Sequence, residues 1–144
     1  MKTTEPPVIV EEIFNNTLEN VWNAITVKEK MVQWFFDNIP DFKAEIAFKT
    51  KFNVKAPSRD FMHLWEVTEV LSLKKLVVNW KYEDCAGNSF VIWELENLGA
   101  QTKVKLTTKV TEDFSDDYPE FRRESCVSGW NYFIKENLKS YLEK

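Results

Sequence analysis

A chain of 144 residues, 44% hydrophobic and 29% charged, fits one ordinary globular domain with a single core. A net charge of −4 and an isoelectric point near 5.2 argue against a dedicated nucleic-acid surface, which carries a basic excess. With one histidine, no Cys-x-x-Cys pair, no signal-peptide pattern and no apolar run of about 18 residues, the chain is expected to be cytoplasmic, without membrane insertion, metal or cofactor.

Residues Met1 to Pro7 read as a loose lead-in, and Val8 to Phe14 (VIVEEIF) as a strand. Thr17 stands where a helix cap belongs, with Glu19 in the first turn and Leu18, Val21, Trp22 and Ile25 at helical spacing. Thr26 and Glu29 have the spacing of a capping box, which predicts a second short helix with Met31, Trp34 and Phe35 on its apolar side.

From Phe42 the period changes to two. Ile46, Phe48, Thr50, Phe52 and Val54 alternate with Ala47, Lys49, Lys51, Asn53 and Lys55, predicting one buried and one solvated face. Lys43 begins this local basic run, and Lys49, Lys51 and Lys55 read as outward lysines that keep a strand soluble. Ala56-Pro57-Ser58 is a turn, and Phe61, His63, Trp65 and Val67 share a face of the next strand. After the connection at Leu73 to Lys75, Leu76, Val78, Trp80 and Tyr82 alternate. A turn over Glu83 to Asn88 follows, then Val91, Trp93 and Leu95, then Thr102, Val104, Leu106 and Thr108.

Thr111 to Tyr118 is polar and acidic, and Pro119 suits the start of a helix. In Ser125 to Lys144 the residues Val127, Trp130, Ile134, Leu138 and Tyr141 recur every three or four, flanked by Phe133 and Leu142 and opposed by Lys135, Lys139 and Ser140. That is an amphipathic terminal helix, with Gly129 expected as a close-packing point. The predicted order is strand, two helices, about six strands in series and one long helix. Short turns between successive strands make an antiparallel meander, and the whole an α+β domain.

Four segments carry a family resemblance: T-L-E-N-V-W-N-A-I-T (17 to 26), M-V-Q-W-F (31 to 35), L-V-V-N-W (76 to 80) with V-I-W-E-L (91 to 95), and S-G-W with N-L-K-S-Y-L-E near the end. In this order they resemble the START-like, or SRPBCC, helix-grip superfamily, in the branch similar to the C-terminal domain of the activator of the heat-shock protein 90 ATPase. The resemblance implies a curved antiparallel sheet wrapped around the last helix. It also implies, as in many relatives, an apolar ligand pocket between the two. Where many relatives carry Gly-Gly this chain has Ile46-Ala47, a departure that bears on whether the strand bulges there.

Eleven Phe, six Trp and four Tyr give an aromatic-rich interior. Phe52, Trp65, Val78, Trp80, Val91, Trp93 and Val104 are expected on the concave face of the sheet, opposite Trp130, Phe133 and Ile134, with Trp34 and Phe35 closing one end. These rings either line a pocket or interlock and fill it. His63, Tyr82 and Tyr132 are the polar candidates to orient a ligand. No nucleophile with a base, inward carboxylate pair or phosphate-binding glycine loop is present, and Cys126 and Cys85 read as free, inert thiols. Three readings follow: a non-catalytic module for a small apolar or aromatic molecule, an interaction module for a protein such as a chaperone, or a cyclase- or hydrolase-like enzyme. No pattern in the chain sets an oligomeric state.

Overall fold

The structure is a computed structural model describing residues 1–144. Its strands are β1 (Val8–Phe14), β2 (Lys49–Lys55), β3 (Asp60–Leu71), β4 (Lys75–Tyr82), β5 (Asn88–Asn97) and β6 (Thr102–Glu112). They form one curved antiparallel sheet in the order β1-β6-β5-β4-β3-β2. Five strands, rather than about six, follow the first two helices. The alternation that predicts them is seen in burial: in β3 Phe61, His63, Trp65 and Val67 are buried and their neighbours are not.

Helices α1 (Leu18–Thr26) and α2 (Lys28–Met31) lie between β1 and β2, carrying the chain from one sheet edge to the other. Thr17 caps α1, its hydroxyl accepting from the Asn20 N–H at 3.3 Å. The expected Thr26–Glu29 capping box does not form. Thr26 is the last residue of α1, and its hydroxyl donates back to the Trp22 carbonyl at 2.7 Å, so the following turn starts at Val27 without a side-chain cap. Trp34 and Phe35 lie beyond α2. Trp34 is anchored by its indole N–H donating to the Ala24 carbonyl at 2.7 Å.

The expected start of β2 is also corrected. Ile46 is 68% exposed and does not point into the core, because Ala47 adopts a left-handed backbone, φ 73°, that breaks the alternation. The Ala47 N–H donates to the Val67 carbonyl at 2.8 Å, while the Val67 N–H donates to the Phe48 carbonyl at 2.9 Å. Two residues therefore face one, with the first left-handed. This is a β-bulge of the type that ordinarily has glycine there, built here on alanine.

The C-terminal helix comprises α3 (Arg123–Trp130), a π-wound stretch (Asn131–Leu138) and α4 (Lys139–Leu142). Its buried residues are Trp130, Ile134, Leu138 and Leu142, while Val127 and Tyr141 are only half-buried. A strict spacing of four drifts by about 40° per step on an α-helix. Wider winding, marked by the Lys139 N–H reaching the Ile134 carbonyl, brings the four back into line. Lys135 and Lys139, expected to face water, donate to the Glu11 and Ile13 carbonyls at 3.0 and 2.8 Å, tying the helix to edge strand β1.

One cluster of 26 buried residues joins the sheet, α1, the segment after α2 and the C-terminal helix. A smaller one, Phe61, Phe114 and Phe121, closes the end where the acidic segment turns into α3. Phe114, in a stretch that reads as polar, is 1% exposed. Residues Met1 to Pro7, expected to be loose, are held on this end. The Phe114 N–H donates to the Met1 carbonyl at 3.0 Å, Lys2 Nζ to the Phe114 carbonyl at 2.9 Å, and Arg123 to the Pro6 carbonyl. No helix is long and apolar enough to cross a membrane.

Candidate functional site

Much of the space between sheet and helix is filled by rings. Phe35 stacks on Trp34 at 4.7 Å and lies 5.6 Å from Trp65 and 4.8 Å from Phe133. Trp65 meets Trp80 at 5.0 Å, and Trp80 and Trp93 meet Trp130 at 5.5 and 5.7 Å. Among these rings only a void of about 10 Å³ is left, lined entirely by apolar residues, among them Phe35, Trp65, Val78 and Trp93. That is at the lower limit for one water molecule and offers it no partner. The Trp65 indole N–H is accordingly buried without an acceptor.

Nearer the Phe114 end the packing opens into a cavity of about 150 Å³. Its sheet side is His63 of β3, Trp80 and Tyr82 of β4, Ser89 and Val91 of β5, and Thr108 of β6. Its helix side is Ser125, Cys126, Gly129, Trp130 and Phe133, and Phe36, Phe114, Glu120 and Met1 complete the wall. Gly129 helps make the space. A Cβ built there would meet nothing within 4 Å, so this glycine is an opening and not the expected packing point.

Of the twelve residues expected to line a pocket, Trp80, Val91, Trp130 and Phe133 border this cavity. Phe35, Trp65, Val78 and Trp93 surround the small void, together with Trp80 and Val91. Trp34, Phe52, Val104 and Ile134 are buried in the core and border neither space. Tyr132 is 52% exposed and faces away. The cavity residues missed in the sequence include Ser89 and Phe36. Ser89 continues the inward alternation of Val91 and Trp93, so that signal was present; Phe36 directly follows Trp34 and Phe35.

The polar side chains that the sheet presents to the cavity are neutral, whereas the wall also carries the Met1 ammonium and the Glu120 carboxylate, the latter held below the usual carboxylate range by its bond to Ser58. His63 is 5% exposed, and burial lowers its pKa to about 4 against a smaller opposing effect of its bond to the Phe61 carbonyl. That bond, Nδ1 to the carbonyl oxygen at 3.1 Å, assigns the proton to Nδ1 in the neutral ring and leaves Nε2 as an acceptor. The Tyr82 hydroxyl accepts from the Trp80 indole N–H at 3.0 Å, and burial pushes its pKa up. Ser89 donates to the Trp80 carbonyl at 2.7 Å, and Thr108 accepts from the Trp130 indole at 3.0 Å. Burial likewise raises the Cys126 thiol, with the Thr108 hydroxyl opposing, so the helix start does not activate it.

The family model described as Activator of Hsp90 ATPase homolog 1-like protein matches residues 15–143. The chain belongs to this family. Within the START-like superfamily it shares its fold with CV1439 from Chromobacterium violaceum, at 14% identity and a TM-score of 0.79, over 96% of this chain and 97% of that one. The Aha1 dimer from Colwellia psychrerythraea is similar at 18% identity and a TM-score of 0.71, over 96% and 97%. DynU16, a protein in the dynemicin biosynthetic locus, is similar at 19% identity and a TM-score of 0.77, over 97% of this chain and 48% of its own, so this chain spans about half of it. At these identities the likeness establishes the fold. No curated protein matches significantly.

Proposed function

We propose that this Activator of Hsp90 ATPase homolog 1-like chain is a non-catalytic cytoplasmic domain that binds a small apolar or aromatic molecule between its sheet and C-terminal helix. The observation that carries the reading is the cavity of about 150 Å³ at Gly129, walled by Trp80, Trp130 and Phe133. A mostly apolar concavity with a few oriented polar groups is the usual form of a small-molecule site. The family fold is compatible with such a role, and the titratable side chains at the cavity are not paired as an acid–base couple: Glu120 accepts from the Ser58 hydroxyl and His63 donates to a backbone carbonyl.

Trp80 and Trp130 border the cavity, so tryptophan fluorescence can follow a titration with toluene. The wild type is expected to show a saturable change. In Gly129→Leu, with a side chain in the open space and a gain of roughly 1 kcal/mol in helix propensity, affinity should fall at least about tenfold while the fold persists. Unchanged binding in that variant, or none in the wild type, would overturn the pocket reading. It would favour protein contact through the outer face of β2, β3 and β4, the reading that the family's description supports.

A further inference from the structure

We infer that the molecule held in this cavity is a neutral one-ring phenol, its hydroxyl set between Nε2 of His63 and the hydroxyl of Tyr82; this rests on the pocket reading above. Size comes first. A cavity of about 150 Å³ is of the volume that admits a single benzene-like ring, and it cannot enclose the whole of a sterol or an acyl chain. The walls come next. Phe36, Trp80, Trp130 and Phe133 present ring faces and edges, which favour an aromatic guest over an aliphatic one of equal size.

The polar pair selects the substituent. His63 Nδ1–H is committed to the Phe61 carbonyl, and no protein donor reaches Nε2. The Tyr82 oxygen is committed to the indole N–H of Trp80, and no protein acceptor takes its own proton. His63 and Tyr82 are cross-strand partners of β3 and β4, their rings stand perpendicular with centroids 4.8 Å apart, and both border the cavity, so one residue with a free acceptor and one with a free donor flank the same guest. A hydroxyl is the simplest group that donates to the first and accepts from the second. A carbonyl would leave Nε2 unmet, and a carboxylate would set negative charge against its lone pair. Met1 brings the only cationic group among the lining residues, and its ammonium is already committed to the Phe121 carbonyl, while the rings packed on His63 (Phe36, Phe52, Trp80 and Tyr82) carry no charge to offset an anion.

Calorimetric titration of the intact protein with phenol, toluene, cyclohexanol and benzoate tests this without any mutation. Phenol should bind about tenfold tighter than each of the other three, because replacing it leaves a buried donor or acceptor unmet, loses the ring contacts or buries a charge. Tyr82→Phe, its folding checked by thermal unfolding, should narrow the phenol–toluene difference to about threefold or less. Toluene or cyclohexanol binding as well as phenol in the wild type would overturn the phenol assignment while sparing the pocket. Tighter binding of benzoate would overturn the requirement for a neutral guest. Failure of all four to bind would overturn the pocket reading itself.

Discussion

Ala47 shows how a single backbone angle redirects a segment. Its left-handed conformation lets Ala47 and Phe48 share Val67 and turns Ile46 out to solvent, although Ile46 continues a clean alternation in the sequence. Left-handed alanine costs about 1–2 kcal/mol, whereas glycine avoids that strain at an entropic cost of about 0.5–1 kcal/mol. Ala47→Gly should therefore stabilise the protein by about 0.5–1 kcal/mol, read as a higher urea midpoint with an unchanged slope. The period of two was sufficient to predict the strand but not its first residues. Hydrogen bonding to Val67, twenty positions away, decides those, and no local pattern encodes it.

The same division holds for whole elements. Strand faces were legible because burial follows a period of two, and in β3 and β5 the predicted inward residues are the buried ones. The apolar character of the C-terminal helix was legible as well. Its winding was not, since the alignment of Trp130, Ile134, Leu138 and Leu142 depends on the sheet they meet. The segment before α3 was the least legible: its acids mask Phe114, whose place depends on the turn between β4 and β5. A Cβ on Gly87, where φ is 114°, would lie 2.3 Å from Phe114 Cδ1. Gly87→Ala is expected to cost about 2 kcal/mol through this clash and the left-handed backbone, lowering the thermal midpoint. Ala substitution at Gly99, where nothing stands within 4 Å, controls for the backbone part alone.

For the molecule as a whole, His63 couples stability to pH. Its imidazole titrates near 6.5 when unfolded and near 4 when buried, so between these values the unfolded chain holds a proton that the folded one does not. Its contribution is fully present above about pH 6.5 and is lost as the pH falls towards 4, about 3 kcal/mol in all. Denaturant unfolding between pH 5 and 6.5 should show this slope, and His63→Phe should flatten it, since no other histidine is present. Fold class and helix-grip order were readable over the chain from periodicity and motif order. The cavity's position was not, because it arises where a side chain is missing, at Gly129, and where four strands and a helix meet in register.

The rings that fill the rest of the interior form a continuous series: Trp65 to Trp80 at 5.0 Å, Trp80 to Trp130 at 5.5 Å, Trp130 to Trp93 at 5.7 Å, and Trp93 to Trp34 at 6.0 Å. Indoles this close exchange electronic excitation faster than they emit, so light absorbed by any of the five is shared among them. Trp80 and Trp130 belong to this series and border the cavity, so a guest touching those two rings alters the emission of the whole set.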